Sequence, residues 1–272
     1  MTVLLYHDVL GDSRAPQSGF GGADAEIYKL EQQTFEQHLA AIAGSAKAVF
    51  SGPPDALPTI LQRPELVMLS FDDGGASAWP VTAEALERRG WRGLFFITTD
   101  RIGTPGFLGE AAIRSLVRAG HIVGSHSASH PARMAALDSA ALQREWAESR
   151  RRLESIVAGP VRTASVPGGY HSAAVASAAE ACGYELLFTS EPRRSPWRSG
   201  RLLLSGRYSI LRNTPARTAA SLGTGNVLAC ARQTAGWNAK KILKKVGGRA
   251  WLGFRKRYWE WKAAGRDASP RR

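Results

Sequence analysis

Three short segments carry side chains or backbone that could do chemistry together. Ser70-Phe71-Asp72-Asp73-Gly74 sets two carboxylates side by side. Consecutive side chains at a strand end diverge, so one carboxylate can bind a cation while its neighbour does other work. Asp-Asp-Gly is also ordinary turn chemistry, and alone it reads as a solvated turn. His126-Ser127-Ala128-Ser129-His130 spaces two imidazoles four residues apart. On one face of a helical turn such a pair grips one metal ion; the plainer alternative is a pair of surface or capping histidines. Two histidines and one aspartate make a mixed nitrogen and oxygen set that leaves positions open for water, the mark of a catalytic rather than a structural site. Val166-Pro167-Gly168-Gly169-Tyr170-His171 exposes backbone amides that a ligand can approach closely and that could hold an oxyanion. By itself it is a glycine turn.

The elements that must position these groups follow an alternating pattern. Strands are predicted over 3–6, 66–71, 93–98, 121–125, 163–167, 185–189 and 202–205, with helices over 81–89, 110–119 and 138–158. Thr34 and Gln37 read as a capping box before a helix carrying Phe35, Leu39 and Ile42. Residues 10–26 read as a long loop of the kind that serves a site. The pattern predicts an α/β fold, either a (β/α) barrel or a doubly wound sheet, with chemistry at the carboxyl ends of the strands. All three segments follow a predicted strand. His38 and His121 read as structural.

The chain has 272 residues, 44% hydrophobic and 22% charged, which excludes disordered and collagen-like classes. No apolar run approaches the ~20 residues of a membrane span. Residues 1–8 show no export signal. Cys182 and Cys230 have no metal-ligand spacing and read as reduced thiols. The net charge of +13 is uneven: residues 231–272 hold 13 Lys or Arg against 2 acids, and four of the eight tryptophans. The predicted organisation is therefore a domain over 1–220 and a basic, aromatic, helical tail over 221–272. Within the tail, Trp251, Phe254, Tyr258 and Trp261 share one helix face among lysines and arginines, a pattern suited to an anionic membrane surface. There is no nucleic-acid recognition motif, and the sequence leaves the oligomeric state open.

Taken together, the segments resemble the polysaccharide deacetylase, or NodB-homology, superfamily of metal-dependent carbohydrate esterases. Ser70–Gly74 is similar to its Thr-Phe-Asp-Asp-Gly motif and His126–His130 to its His-Ser/Thr-x-x-His motif; Tyr6-His7-Asp8-Val9 matches an early motif of many members. The resemblance spans residues 1–212. It implies a distorted (β/α)7 barrel in which Asp73, His126 and His130 bind a divalent metal, usually Zn2+, and Asp72 is the general base. Pro167, Gly168 and Gly169 would form the substrate-binding loop, with the Gly168 amide as oxyanion donor.

Later motifs depart from the pattern. Ser165 stands where the family's third motif has an arginine that orients the base; Arg207 and Arg212 are the candidates to replace it. The fourth motif, bearing Asp and Trp, has no counterpart in Phe188–Pro192. The fifth, which supplies a histidine as general acid, is absent, since no histidine follows His171. Some members draw the acid from the early Tyr-His motif, which favours His7 over His171.

The expected function is therefore removal of acetyl from an N-acetylated or O-acetylated sugar or polysaccharide intermediate, in the cytoplasm or at the inner face of the membrane. The competing readings are hydrolysis of another non-peptide C–N bond, and a degenerate glycan-binding or scaffold protein of polysaccharide synthesis. The lost arginine and histidine motivate the last.

Overall fold

The computed structural model describes residues 1–11, 18–52, 63–169 and 171–239. The elements, in chain order, are β1 (Thr2–Tyr6), β2 (Val9–Leu10), α1 (Ala23–Glu26), β3 (Leu30–Glu31), α2 (Gln32–Ala43), β4 (Ala48–Val49) and β5 (Leu66–Phe71). There follow α3 (Val81–Glu87), β6 (Gly93–Ile97), α4 (Glu110–Arg118), β7 (Ile122–Ser125), α5 (Ser139–Val157), β8 (Thr163–Ser165), α6 (Ala173–Ala181) and β9 (Leu186–Phe188). β10 (Trp197–Ser199), β11 (Leu202–Ser205), β12 (Tyr208–Ser209) and α7 (Ala216–Gly223) come next, and residues 227–239, α8, are also helical.

Parallel strands run in the order β1-β5-β6-β7-β8-β9-β11. A doubly wound sheet reverses its strand order at a switch point; this one winds in a single direction, as a barrel requires. β12 pairs parallel to β1, β4 pairs beside the start of β5, and β10 adds an antiparallel strand to β11. The result is a distorted (β/α)7 barrel, curled but open, because β10 and β12 end the sheet unpaired with each other.

The strands read as nearly continuous apolar runs because both of their faces are covered. Val3, Met68, Leu94, Phe96, Ile122, Leu186 and Phe188 form one cluster, the barrel interior. Their strand neighbours Leu4, Tyr6, Leu69, Phe71 and Phe95 join Phe35, Leu39, Leu86 and Ile113 of the surrounding helices in a second.

Several expected boundaries shift. α2 begins at Gln32 with Glu31 before it and no side-chain cap, so Thr34 and Gln37 lie inside the helix and form no capping box. β8 ends at Ser165 rather than Pro167, because proline has no N–H for the ladder and Pro167–Gly169 turns away. Within the predicted loop 10–26, Ala23–Glu26 is helical, and residues 12–17 lie outside the described residues. Cys182 and Cys230 are both free thiols. His38 and His121 are structural: His38 Nε2 lies 2.8 Å from Thr214 O, and His121 Nδ1 accepts from the Gly93 amide at 3.0 Å. No helix among the described residues is long and apolar enough to cross a membrane. The aromatic stripe Trp251, Phe254, Tyr258 and Trp261 lies outside the described residues.

Candidate metal and catalytic site

The end of β5 delivers Asp72 and Asp73 to one rim of the barrel. The Asp72 amide extends the ladder to Tyr6 O at 3.1 Å. The chain then turns through Asp73 at φ 74°, a left-handed conformation that short polar side chains tolerate. The two carboxylates part as expected, and both are buried.

Asp73 faces the histidines. Its Oδ1 lies 3.5 Å from His126 Nε2 and 3.4 Å from His130 Nε2. One ligand atom from each of the three residues falls within 4.8 Å of the others, a group that could hold a metal ion. Burial pushes the Asp73 carboxyl up, but its contacts with His126 and His130 outweigh that and hold it well below the usual range. Burial lowers His130, and its hydrogen bond with Asp73 more than reverses this, so it is raised. A divalent cation suits this concentration of donors: the set is mixed nitrogen and oxygen, compact and partly dehydrated. His126 is pre-aimed for such a role. Its Nδ1 lies 3.1 Å from Ser165 O, which can only accept, so Nδ1 carries the hydrogen and Nε2 turns to Asp73.

The pair of histidines is not on a helix, contrary to the expectation from their spacing. Residues 126–130 form a loop with Ser127 at φ 64° and His130 at φ 60°. Side chains hold this unusual path. Ser125 Oγ accepts from the Ser127 amide and Ser127 Oγ from the His130 amide, each at 3.1 Å. Glu145, on α5, accepts from the Ala128 and Ser129 amides at 3.0 and 2.9 Å and from Ser129 Oγ at 2.5 Å. One carboxylate thus satisfies two successive amides of the loop. Sequence reasoning missed Glu145, which carries no motif of its own.

Asp72 faces the other way, toward Arg207. The guanidinium grips it with two parallel bonds, Nη1 to Oδ1 at 2.6 Å and Nη2 to Oδ2 at 2.7 Å. Both side chains are almost fully buried. Arg207 follows β11, donates from Nε to Thr189 O at 3.1 Å and lies over the Phe96 and Phe188 rings that close the barrel interior. Burial pushes Asp72 up, but Arg207 and His126 overcome it, and the net shift is downward. Ser165 takes up the space its motif position leaves, with Oγ 2.6 Å from His126 Nδ1 and donating to Asp72 Oδ1 at 3.3 Å. Arg212 instead pairs at the surface with Glu31 at 3.5 Å. The signal for Arg207 was its place, just past a strand end on the rim that carries Asp72 and Asp73.

His7 follows β1. It is half-buried, its Nδ1 has no partner among the described residues, and its ring lies 4.5 Å from that of Tyr28. Burial lowers its pKa; the fields of Asp73 and Asp72 oppose the shift, which places His7 within electrostatic reach of both carboxylates. His171 lies against Trp197, with ring centroids 6.5 Å apart. Gly168 adopts φ 63°, ψ 3° within the turn Pro167–Gly169 that follows β8.

Residues 61–187 match the profile of the family described as polysaccharide deacetylase. YxkH of Bacillus subtilis (strain 168), which is named for that family, is 21% identical over 196 residues; the match covers 71% of this chain and 65% of that protein, so the chain spans less than two thirds of this relative. Among solved structures, the Streptococcus pyogenes deacetylase PplD in complex with acetate superposes with a TM-score of 0.65 at 15% identity, over 82% of this chain and 97% of that one. IcaB from Ammonifex degensii gives 0.65 at 20%, over 82% and 96%. The profile match over residues 61–187 and the YxkH relative support the polysaccharide deacetylase family as the one this chain resembles, and the solved structures share its barrel fold.

Proposed function

We propose that this protein is a metal-dependent deacetylase that removes an acetyl group from an N-acetylated or O-acetylated sugar or polysaccharide intermediate. The observation that carries the reading is the division of labour between adjacent carboxylates: Asp72 is turned to a buried arginine and Asp73 to two imidazoles. Asp73, His126 and His130 would hold the metal, Zn2+ by family resemblance. A divalent cation there supplies Lewis-acid polarisation of the acetyl carbonyl and acidifies water.

The chain's own groups do the rest. Asp72, kept ionised and oriented by Arg207, takes a proton from the attacking water. The Gly168 amide donates to the developing oxyanion, with Pro167 and Gly169 shaping the loop that presents it. His7 gives a proton to the leaving amine, which cannot depart as an anion at neutral pH. An oriented buried base beside three converging ligands supports turnover over a purely binding role.

In this reading residues 1–220 form the deacetylase domain. Within the tail over 221–272, the basic residues 240–272 bring the domain to an anionic membrane surface, at the cytoplasmic face where a lipid-linked or nucleotide-linked intermediate would be reached. Acetate release from a panel of acetylated sugars, measured with and without zinc, tests the activity. Zinc-dependent release supports it, and none from any member of the panel refutes it.

A further inference from the structure

Helix α8 returns the chain to the catalytic rim. Cys230 is buried, Gln233 Nε2 donates to Ser209 O at 2.9 Å, and Thr234 Oγ1 donates to Pro192 O at 3.1 Å. Residues 230, 233, 234 and 237 lie on one helix face, so the docking that buries Cys230 also directs Trp237 at the barrel. It arrives at the loop after β8. A Cβ built on Gly169 would lie 3.0 Å from Trp237 Cη2 and 3.3 Å from Ser190 Cβ, so the indole edge and Ser190 enclose the bare backbone of Gly169. Gly169 has φ 69° and Gly168 φ 63°.

Two successive left-handed glycines are conformationally free in the unfolded chain and need outside contacts to hold one geometry. A large, rigid ring packed on the second can supply that constraint and keep water from its face. The Phe188–Pro192 segment has no tryptophan of its own, so α8 brings one from outside that segment.

We infer that Trp237 is a positioning residue for the Pro167–Gly169 loop: it fixes the direction of the Gly168 amide, and residues through 239 are therefore part of the catalytic unit. This rests on the deacetylase reading. Misplacing a catalytic group by about 1 Å can cost on the order of 10²-fold. Trp237→Ala should accordingly lower kcat for acetate release by roughly 10- to 100-fold, with KM within about twofold of wild type and zinc content unchanged. Trp237→Phe should recover most of the rate. Thr234→Val, which removes one docking bond but keeps the ring, should lower the melting temperature while leaving kcat nearly unchanged.

A wild-type kcat in a folded, zinc-loaded Trp237→Ala variant would overturn the inference, as would a loss that Trp237→Phe shares in full. If Trp237→Ala fails to fold, the Trp237→Phe and Thr234→Val pair decides: a kcat that follows melting temperature in both means that the ring only stabilises the fold. A zinc-loaded wild-type chain that releases no acetate refutes the deacetylase reading itself, and this inference with it.

Discussion

Two adjacent aspartates in one barrel rim meet opposite partners, and most predictions at the residue scale follow from that difference. Asp73→Ala and His126→Ala should each abolish zinc binding, whereas Asp72→Asn should keep zinc and lose about 10²–10⁴-fold in turnover, the span typical of a general base. Metal analysis beside acetate release separates the two classes. Arg207 makes a different kind of difference. Arg207, together with His126, overrides the effect of burial and holds the Asp72 carboxyl below its ordinary value, so the proposed base stays ionised as pH falls toward the carboxylate range. Arg207→Met removes that support, the Asp72 pKa rises, and the acid limb of the kcat/KM profile should move to higher pH. The sign for stability agrees. A carboxyl with a depressed pKa contributes stability above its unfolded value and loses it as pH falls through its folded value, so the variant should lose most at neutral pH. Leaving a buried carboxylate without its partner costs about 3–5 kcal/mol. An unshifted acid limb would mean that Arg207 does not set the poise of Asp72. His7→Ala should lower amide hydrolysis by roughly 10²–10⁴-fold while sparing activated aryl esters, whose leaving groups need no proton; equal losses on both would make His7 structural.

At the scale of elements, the barrel turns scattered motifs into a site, and this level was the most legible in the sequence. The strands Leu66–Phe71 and Leu202–Ser205 fall where their apolar runs predict, because a strand covered on both faces has little other reading. The histidine loop was less legible. A spacing of four suggests a helix, but the path of residues 126–130 is set by Ser125, Ser127 and a carboxylate fifteen residues beyond His130 on α5, contacts that no local pattern encodes. Glu145→Ala should therefore weaken zinc binding by about 10- to 100-fold, as outer-shell changes do, while leaving the melting temperature close to wild type. A titration that matches wild type would show that the loop holds its shape without the carboxylate. Arg207 was legible only as one of two arginines, since choosing between them needs the three-dimensional order of β11, β9 and β5. Trp237 was read as part of a tail, because its partner Gly169 lies 68 residues earlier in the chain and nothing local links them.

For the whole molecule, the division of charge separates a near-neutral barrel from a basic extension. Residues 240–272 hold 12 Lys or Arg against 2 acids. Ending the chain at residue 239 should spare the site and Trp237, and so keep zinc and acetate release on soluble substrates, while removing binding to anionic vesicles. Full-length binding should weaken with salt, because each basic residue near the surface contributes about 1 kcal/mol through a screened interaction. Vesicle sedimentation at two ionic strengths checks this, and equal binding by both chains would rule out the tail as the anchor. Ending the chain at residue 230 removes Trp237 as well, and should lower turnover even on soluble sugars. The catalytic expectations depend on a metal held at Asp73, His126 and His130 serving the hydrolysis of an acetyl group. The most direct measurement is acetate release by the full-length protein after a chelator has stripped it and after stoichiometric Zn2+ has been restored, with Asp72→Asn alongside. The account predicts loss on stripping, recovery on addition, and no recovery in the zinc-loaded variant; release that survives stripping, or that Asp72→Asn matches, would contradict it.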